Sequence, residues 1–380
     1  MLAFAWIVLI IAGFYLLCMI CKLKALRVAI AVIETAADYF ADTKRILFVP
    51  MIYFVLAILF LAAWIIAVIC VASIGPITVT SVETQNKDIE WDSHTTWAMW
   101  YMFFGCVWIV FFIVSCNEFV VIISAITWYY SDKTVPDDDG IPGDSDVHTG
   151  FWWTYRYHMG SLAMGSFLLA VVWILKVIFE YIGEKMHEAV GGNGCTKCLI
   201  ACMACCIDCF DRFVRYLTKN AYIYMALSGE GFCSSALNAF ILILKNAAKF
   251  AFVDGIADIF MFLAKLFISC ATCATSWPIL NAMDESSEVD EIWWPLMLIF
   301  FITYLISHSF IAIFEVSSNT ILQCYLLDKE IAGQMGVPDP DHIPPTLAKF
   351  FGDHVVEQQA RDIEAHKRSL SQSGDKENLI

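Results

Sequence analysis

Long apolar stretches constrain this chain more than any other feature of its sequence. Six of them are long enough to cross a bilayer, at residues 2–21, 46–74, 97–130, 159–181, 250–277 and 293–326. A helix needs about 20 apolar residues to cross about 30 Å of hydrocarbon. Because hydrocarbon cannot satisfy backbone N–H and C=O groups, each stretch must form its own hydrogen bonds. We therefore predict an all-α, polytopic helical membrane protein with six clear spans.

The overall composition excludes several other classes of protein. Hydrophobic residues make up 59% of the 380 residues and charged residues only 16%, whereas a soluble domain has about 45–50% and about 25%. So much apolar surface could not be covered in one or two soluble cores, and it also excludes a disordered chain. The formal net charge of −15 argues against a nucleic-acid partner, which requires a basic face. The composition predicts the lipid bilayer as the partner.

Basic residues outside the spans predict the orientation and a further crossing. Segment 22–45 carries several Lys and Arg residues, which predicts that it is cytoplasmic, and the mostly acidic loop 75–96 is predicted to face outward. The basic residues follow the first stretch, as expected for a span and not for a signal peptide. Six crossings would leave the basic C-terminal tail outside. We therefore predict a seventh traverse within 183–249, a membrane domain over 1–335 and a cytoplasmic tail over 336–380, partly helical and then disordered.

A cluster of six cysteines lies in the connection 183–249 and comprises Cys195, Cys198, Cys202, Cys205, Cys206 and Cys209. All but Cys206 advance by three and four residues, which places those five on one stripe of an amphipathic helix. One interpretation is packing of this stripe on the bilayer surface or on neighbouring helices. A second is S-acylation of the five, since juxtamembrane cysteines are acylation candidates. The C-x-x-C spacing leaves a metal site as a third interpretation.

Charged residues inside apolar spans are costly and are candidates for function. Glu118 is the clearest, with apolar residues on both sides of it. Asp254, Asp258 and Lys265 share a helix face, which fits either a structural Asp–Lys ladder or a transport path. A carboxylate that is hydrogen-bonded to another helix would account for Glu118 without a transport role.

Aromatic residues supply a second candidate feature. A quaternary ammonium cation donates no hydrogen bond, so proteins hold it by cation–π contacts in aromatic cages. Trp100, Tyr101, Trp108 and Trp128 lie in the span that contains Glu118 and are candidate cage walls. The alternative is that they face lipid or form an interfacial belt.

Several segments resemble the choline transporter-like family of solute carriers. The best matches are RYHMGSLAMGSFLLAVVWILKVIFEYI (156–182) and FDRFVRYLTKNAYIYMALSGEGFCSSALNAF (210–240), with support from LRVAIAVIETAADYF (26–40), CNEFVVIISAITWYYS (116–131) and LQCYLLDKE (322–330). The resemblance covers nearly the whole chain to about residue 352. It implies a multi-span carrier with both termini cytoplasmic that moves choline or ethanolamine, passively or by proton exchange, across plasma or mitochondrial membranes.

The chain departs from the family pattern in two ways. The family has a further N-terminal span and a large extracellular domain, which we expect this chain to lack. It also tends to have Gln where this chain has Glu118, and a carboxylate there would strengthen cation attraction, add proton coupling or indicate another substrate.

Two functions follow as expectations. The first is a carrier for choline or a related small organic cation in the plasma membrane, with a mitochondrial or other organelle membrane as the alternative. The second is a non-transporting membrane scaffold or complex subunit that keeps the fold. No P-loop, HExxH or GxSxG motif occurs, so we expect neither an enzyme nor a cofactor or metal.

Overall fold

The computed structural model describes residues 23–74, 77–79, 87–89, 91–131, 147–189, 194–245, 247–284, 293–336, 343–344 and 346–347. It describes the backbone alone at residues 23–29, 77–79, 87–89, 186–189, 194–200, 247–254, 256 and 283–284. The predicted span 2–21 and most of the predicted tail 336–380 lie outside the described residues.

Helices account for nearly all of the described chain. They are α1 (Leu23–Asp42), α2 (Val49–Ala72), α3 (Ser93–Tyr130), α4 (Val147–Trp153), α5 (Met159–Ala189), α6 (Gly194–Ser228), α7 (Phe232–Lys245), α8 (Ala247–Asp284) and α9 (Trp293–Met335). A 3₁₀ segment, Lys44–Phe48, precedes α2, and a π-helical segment, Thr154–His158, joins α4 to α5. Two three-residue strands, β1 (Ile77–Val79) and β2 (Lys87–Ile89), pair antiparallel with Ile77 opposite Ile89.

The membrane spans confirm the predicted fold class. Within the described ranges, five helical segments are long and apolar enough to cross a bilayer, namely Lys44–Ala72, Ser93–Tyr130, Val147–Lys185, Ala257–Ala282 and Trp293–Met335. They coincide with the five predicted spans that fall within those ranges. The chain is an all-α, polytopic membrane protein.

The bilayer-facing surface is most evident on α2. Large apolar side chains are exposed over most of this helix, including Ile58, Leu59 and Ile66, which are 49%, 63% and 63% exposed. An apolar surface of this extent is not stable in water. It contacts the hydrocarbon of the bilayer.

The connection 183–249, where the seventh traverse is predicted, is mostly helical. Ala201–Ser228 and Phe232–Lys245 together are long and apolar enough for one further span, and they are bent by 106° at their junction. The bend occurs at Gly229, which has a φ of +72°. A residue with a side chain is disfavoured in this conformation. The pair has the length and composition of either one broken span or a re-entrant segment.

The start of α3 is capped by a carboxylate. Asp92 accepts a hydrogen bond from the Thr95 backbone N–H at 2.8 Å, which satisfies one of the N–H groups left over at a helix start. This bond lowers the pKa of the Asp92 carboxyl, so the cap keeps its charge at neutral pH.

The chain divides into two compact units. The first unit comprises Met1–Thr43, Thr127–Ser145 and Asn246–Ile380, and the second comprises Lys44–Ile126 and Asp146–Lys245. In the first unit α1, α8 and α9 pack on one another. Trp128 is fully buried there, with its Nε1 donating to Asp42 Oδ2 at 3.0 Å, and Tyr130 Oη donates to Asp328 Oδ1 at 3.1 Å.

Polar residues in the middle of α9 do not interrupt the helix. The segment from Val316 to Leu326 is buried on all sides. Ser317 Oγ donates to the Ile313 carbonyl at 2.9 Å, and Thr320 Oγ1 donates to the Val316 carbonyl at 2.7 Å. These hydroxyls therefore find hydrogen-bond acceptors on their own helix, and the helix is not interrupted here.

In the second unit α5 runs antiparallel to α3. The Trp108 Nε1 donates to the Ala163 carbonyl at 3.1 Å, and further along the pair the Phe103 and Trp173 ring centroids lie 6.4 Å apart. Rising numbers on α5 therefore match falling numbers on α3. The C-terminal end of α5 lies at the end of the unit where α3 begins.

Helix α6 returns along α5 and runs parallel to α3. Lys176 Nζ lies 2.7 Å from Asp208 Oδ1. Arg215 lies over the Phe111 ring at 5.3 Å, and Tyr222 reaches Ser115 at 3.0 Å. The N-terminal half of α6, with its cysteines, thus lies at the same end of the unit as the start of α3.

Chemical accessibility can test whether the start of α3 and the N-terminal half of α6 lie at the same end of the unit. A membrane-impermeant maleimide should reach Cys209 and a cysteine introduced by Lys87→Cys from the same side of sealed, oriented membranes. Labelling is read by mass spectrometry, with the variant Cys202→Ser/Cys205→Ser/Cys206→Ser/Cys209→Ser as the control for the native stripe. Labelling from opposite sides would contradict the packing described above.

The close approach of α5 to α6 can be tested at its glycines. A Cβ on Gly165 would lie 2.5 Å from Tyr222 Oη and 2.8 Å from the Phe232 ring, whereas a Cβ on Gly160 meets nothing within 4 Å. We expect Gly165→Ala to cost about 1–3 kcal/mol, the usual range for overpacking, and Gly160→Ala to be neutral or slightly stabilising. Thermal unfolding in detergent measures both, and equal melting temperatures would contradict the expectation.

Candidate functional site

Glu118 lies in the middle of α3 and is half-buried. Its neighbours Ser115 and Phe119 are 2% and 0% exposed. The helix continues without interruption through Asn117 and Glu118. Residues three and four apart share a helix face, so this face of α3 presents a hydroxyl, a carboxylate and an aromatic ring together.

Tyr222 of α6 brings the second helix to this group. Its hydroxyl donates to Ser115 Oγ at 3.0 Å, with the Leu162 carbonyl oxygen 3.5 Å away. The same hydroxyl lies in the electrostatic field of Glu118. The Tyr222 ring centroid is 6.4 Å from that of Phe119 and 5.9 Å from that of Phe232. We refer to Ser115, Glu118, Phe119, Tyr222 and Phe232 as the Glu118 cluster.

The small residues of α5 make the cluster possible. Any side chain at Gly165 would overlap Tyr222 and Phe232, so glycine lets both rings approach the α5 backbone. A Cβ added at Gly160, five residues earlier on α5, meets nothing within 4 Å.

The π-helical segment brings a histidine to the edge of the cluster. The His158 ring centroid lies 5.0 Å from that of Phe119, and His158 is half-buried. Nearby, Tyr155 Oη donates to Tyr53 Oη at 3.1 Å, which ties this segment to α2. Single-turn π segments occur often at functional sites.

Two of the predicted cage residues, Tyr101 and Trp108, line a cavity of about 450 Å³ between α2, α3 and α5. Four further aromatic residues share this lining, Phe60, Trp64, Phe104 and Phe112. We refer to it as the aromatic cavity. Glu118 lies six residues beyond Phe112, or about 9 Å of helix rise, and is not part of the lining.

The structure does not bring the other two aromatic candidates together with Glu118. Trp100 is 64% exposed and lies 18 residues before Glu118, or about 27 Å along the helix. Trp128 is buried against Asp42 and Tyr39 in the first unit, with the Tyr39 ring 5.6 Å away. Helix rise alone separates Trp100 from Trp128 by about 42 Å.

The acidic candidates on α8 belong to the first unit. Asp258 is exposed, and the side chain of Asp254 lies outside the described residues. Lys265 Nζ lies 3.2 Å from His308 Nδ1 of α9, a partner that the sequence did not suggest. Their place in a transport path stays a prediction.

The cysteines whose side chains the structure describes are all free thiols. On α6, Cys202, Cys205, Cys206 and Cys209 are exposed, while Cys195 and Cys198 lie where only the backbone is described. No group of three or more His, Cys, Asp or Glu side chains is arranged to hold a metal ion among the described residues. Lipidation of Cys195, Cys198, Cys202, Cys205 and Cys209 stays a prediction.

Sequence reasoning missed Tyr222, His158 and the Asp328–Tyr130 pair. Tyr222 and His158 lie within the two segments, 210–240 and 156–182, whose pattern was most distinctive. Neither residue is unusual by type or spacing, so only the tertiary packing identifies them. Asp328 had a local signal, because an acid that follows an apolar run within a span is costly unless it has a partner.

Comparison with known proteins decides the family. The family model described as plasma-membrane choline transporter matches residues 6–330. This chain belongs to that transporter family. The match includes the whole of α3, α5 and α6, and therefore the Glu118 cluster.

Curated relatives of the choline transporter family agree. Choline transporter-like protein 1 of Rattus norvegicus is 26% identical over 315 residues, which is 82% of this chain and 46% of the relative. Choline transporter-like protein 2 of Dictyostelium discoideum is 29% identical over 351 residues, 90% of this chain and 53% of the relative. Choline transporter-like 2 of Drosophila melanogaster is 30% identical over 276 residues, 72% of this chain and 33% of the relative. The chain spans about half or less of the length of these relatives.

The Tyr222–Ser115 bond of this family member can be tested by removing one hydroxyl. Tyr222→Phe leaves Ser115 buried without its donor, and we expect a loss of about 1 kcal/mol of unfolding free energy. Tyr224→Phe is the matched control, since Tyr224 lies about 160° around the helix from Tyr222. Thermal unfolding of both in detergent gives the answer. A Tyr222→Phe protein as stable as the control would show that the bond contributes nothing.

Proposed function

We propose that this chain is a carrier for choline or a related small organic cation and that Glu118 is the anionic counter-charge for its substrate. The observation that supports this most is a half-buried carboxylate inside a membrane span, set beside the buried rings of Phe119 and Tyr222. The printed names of the relatives, which are choline transporter-like proteins, support the substrate class.

The chemistry of the substrate favours this group of side chains. A quaternary ammonium cation offers no N–H donor, so it is recognised by the negative faces of aromatic rings. A carboxylate within a low-dielectric site adds a Coulomb term that is much larger than in water. The Glu118 cluster combines both features on helices of one unit.

The hydroxyls of the cluster have a separate role in this proposal. Tyr222 Oη donates a hydrogen bond to Ser115 Oγ at 3.0 Å, so its ring is held in one orientation. A ring that is fixed before the substrate arrives loses less conformational entropy on binding. Tyr222 is therefore proposed as a positioning residue and an aromatic wall.

The membrane of residence and the partners are part of the proposal. The family description names the plasma membrane, and we propose that membrane for this chain. A non-transporting scaffold or complex subunit is the alternative function, and the experiment below separates the two.

Choline uptake by proteoliposomes tests the counter-charge. Purified full-length chain is reconstituted, and radiolabelled choline uptake is measured for wild type and Glu118→Gln. We expect the substitution to raise KM at least about tenfold, the equivalent of about 1.4 kcal/mol, because the ion pair with the substrate is lost. Glu184→Gln, which removes the same charge from an exposed position on α5, should leave uptake unchanged.

Each outcome bears on a different part of the proposal. Wild-type uptake no greater than that of empty liposomes would reject the carrier and favour the scaffold. Equal KM values for wild type and Glu118→Gln would reject the counter-charge alone. A KM raised in both variants would mean that general surface charge, and not Glu118, attracts the cation.

A further inference from the structure

The aromatic cavity is continuous with the bilayer-facing surface of the second unit. Its wall on one side is formed by Phe60 and Trp64 of α2, the helix whose remaining large side chains face lipid. On the α3 side, Tyr101 and Ile109 are 78% and 39% exposed. A lipid chain beside α2 would reach the cavity without passing through water.

The polar atoms of the two tryptophans are already used. The Trp64 Nε1 donates to the Met102 carbonyl oxygen, and the Trp108 Nε1 donates to the Ala163 carbonyl oxygen, both at 3.1 Å. No charged side chain belongs to the lining, as far as the described residues define it. An occupant would therefore meet aromatic faces and aliphatic groups, with no counter-charge for a cation.

The size of the cavity also favours a larger occupant than choline. A volume of about 450 Å³ lies in the range of pockets that hold drug-sized ligands. Choline has only seven non-hydrogen atoms and would leave most of this volume empty. A hydrocarbon chain can fill an elongated apolar space and gains free energy from its buried area.

We propose that the aromatic cavity binds one acyl chain of a bilayer phospholipid. The site is distinct from the Glu118 cluster and does not depend on the proposed transport function. The bound chain would fill the space between α2 and α3, which the hydrogen bond from Trp64 Nε1 to the Met102 carbonyl oxygen already joins.

A glycine in the lining allows the site to be filled by design. Gly105 lines the cavity, and a Cβ added there meets nothing within 4 Å. The Cβ of Gly105→Leu therefore has room, and the rest of the leucine side chain should occupy part of the cavity. Gly160→Leu is the matched control, because Gly160 is also open and is not part of the lining.

Photolabelling of the full-length chain tests the proposal. The protein is placed in nanodiscs that contain a phosphatidylcholine with a diazirine in its acyl chain, irradiated and mapped by mass spectrometry. Wild-type labelling of residues 60–64 and 101–112 should saturate as the probe fraction rises, while labelling of residues 65–69 on the exposed part of α2 should rise in proportion. Gly105→Leu should lower cavity labelling at least fivefold, and Gly160→Leu should not change it.

Several results would overturn the assignment. Cavity labelling that never saturates in the wild type would mean ordinary contact with bulk lipid, and this readout does not depend on any variant folding. Labelling that persists in Gly105→Leu would place the chain elsewhere. Displacement of the label by choline would identify a cation site, and displacement by cholesterol at low mole fraction would identify a sterol site.

Discussion

Hydrocarbon offers no hydrogen bonds, and this constraint dictates where the polar groups of the chain lie. An unpaired amide or hydroxyl in an apolar environment costs about 2–7 kcal/mol. The hydroxyls of Ser317 and Thr320 accordingly donate to carbonyls of their own helix. The indoles of Trp64 and Trp108 donate to carbonyls of neighbouring segments. Each such bond lets a polar side chain stay inside a span, and the two tryptophan bonds also join α2 to α3 and α3 to α5.

The pairing of α5 with α6 illustrates how two kinds of contact hold one interface. At one level Gly165 admits the Tyr222 and Phe232 rings, so the backbones approach closely through van der Waals contact. Further along, Lys176 of α5 lies 2.7 Å from Asp208 and 3.8 Å from Asp211 of α6. The close contact sets the distance between the helices, and the ion pairs set their register. Because this distance and this register are both fixed, Tyr222 of α6 is held within reach of Ser115 of α3.

The sequence predicts features that depend on local composition and misses those that depend on tertiary contact. The spans on α2, α3, α5, α8 and α9 follow from length and apolarity, so the sequence predicts most of their ends within a few residues. One difference is that the observed span on α5 begins earlier, because α4 and the π segment lead into it without a break. Tyr222 and His158 were missed because nothing in their immediate sequence marks them. Lys265 was grouped with Asp258 by helical spacing, yet its nitrogen lies beside His308 of another helix.

Helical spacing also limits what one span can contribute to a site. Four aromatic residues spread from Trp100 to Trp128 belong to one continuous helix of 38 residues. At 1.5 Å per residue, such a helix cannot gather them around one small cation. A cage needs side chains from several helices at one level. That requirement is met by Phe119 of α3, Tyr222 of α6 and Phe232 of α7. Proximity of aromatic residues in the sequence does not by itself place them around one site.

The positions of the basic residues in 183–249 bear on which end of the second unit faces outward. The positive-inside rule counts Lys and Arg in short loops and close to the ends of spans. In the structure Arg212 and Arg215 belong to α6, and Arg215 is paired with Asp211. The residues between α5 and α6, 190–193, contain no Lys or Arg, and Lys185 and Lys197 lie within a few residues of them on either side. Of the seven Lys and Arg residues in 183–249, two therefore lie beside this connection.

The acidic loop 75–96 joins α2 to the start of α3, so its predicted outward orientation applies to the end of the second unit where α3 begins. The N-terminal half of α6 lies at the same end, so its exposed cysteines would face outward too. S-acylation draws its acyl group from acyl-coenzyme A in the cytoplasm. An outward loop 75–96 and acylation of these cysteines thus exclude each other. The packing of α6 beside α3 joins two predictions that the sequence had left independent.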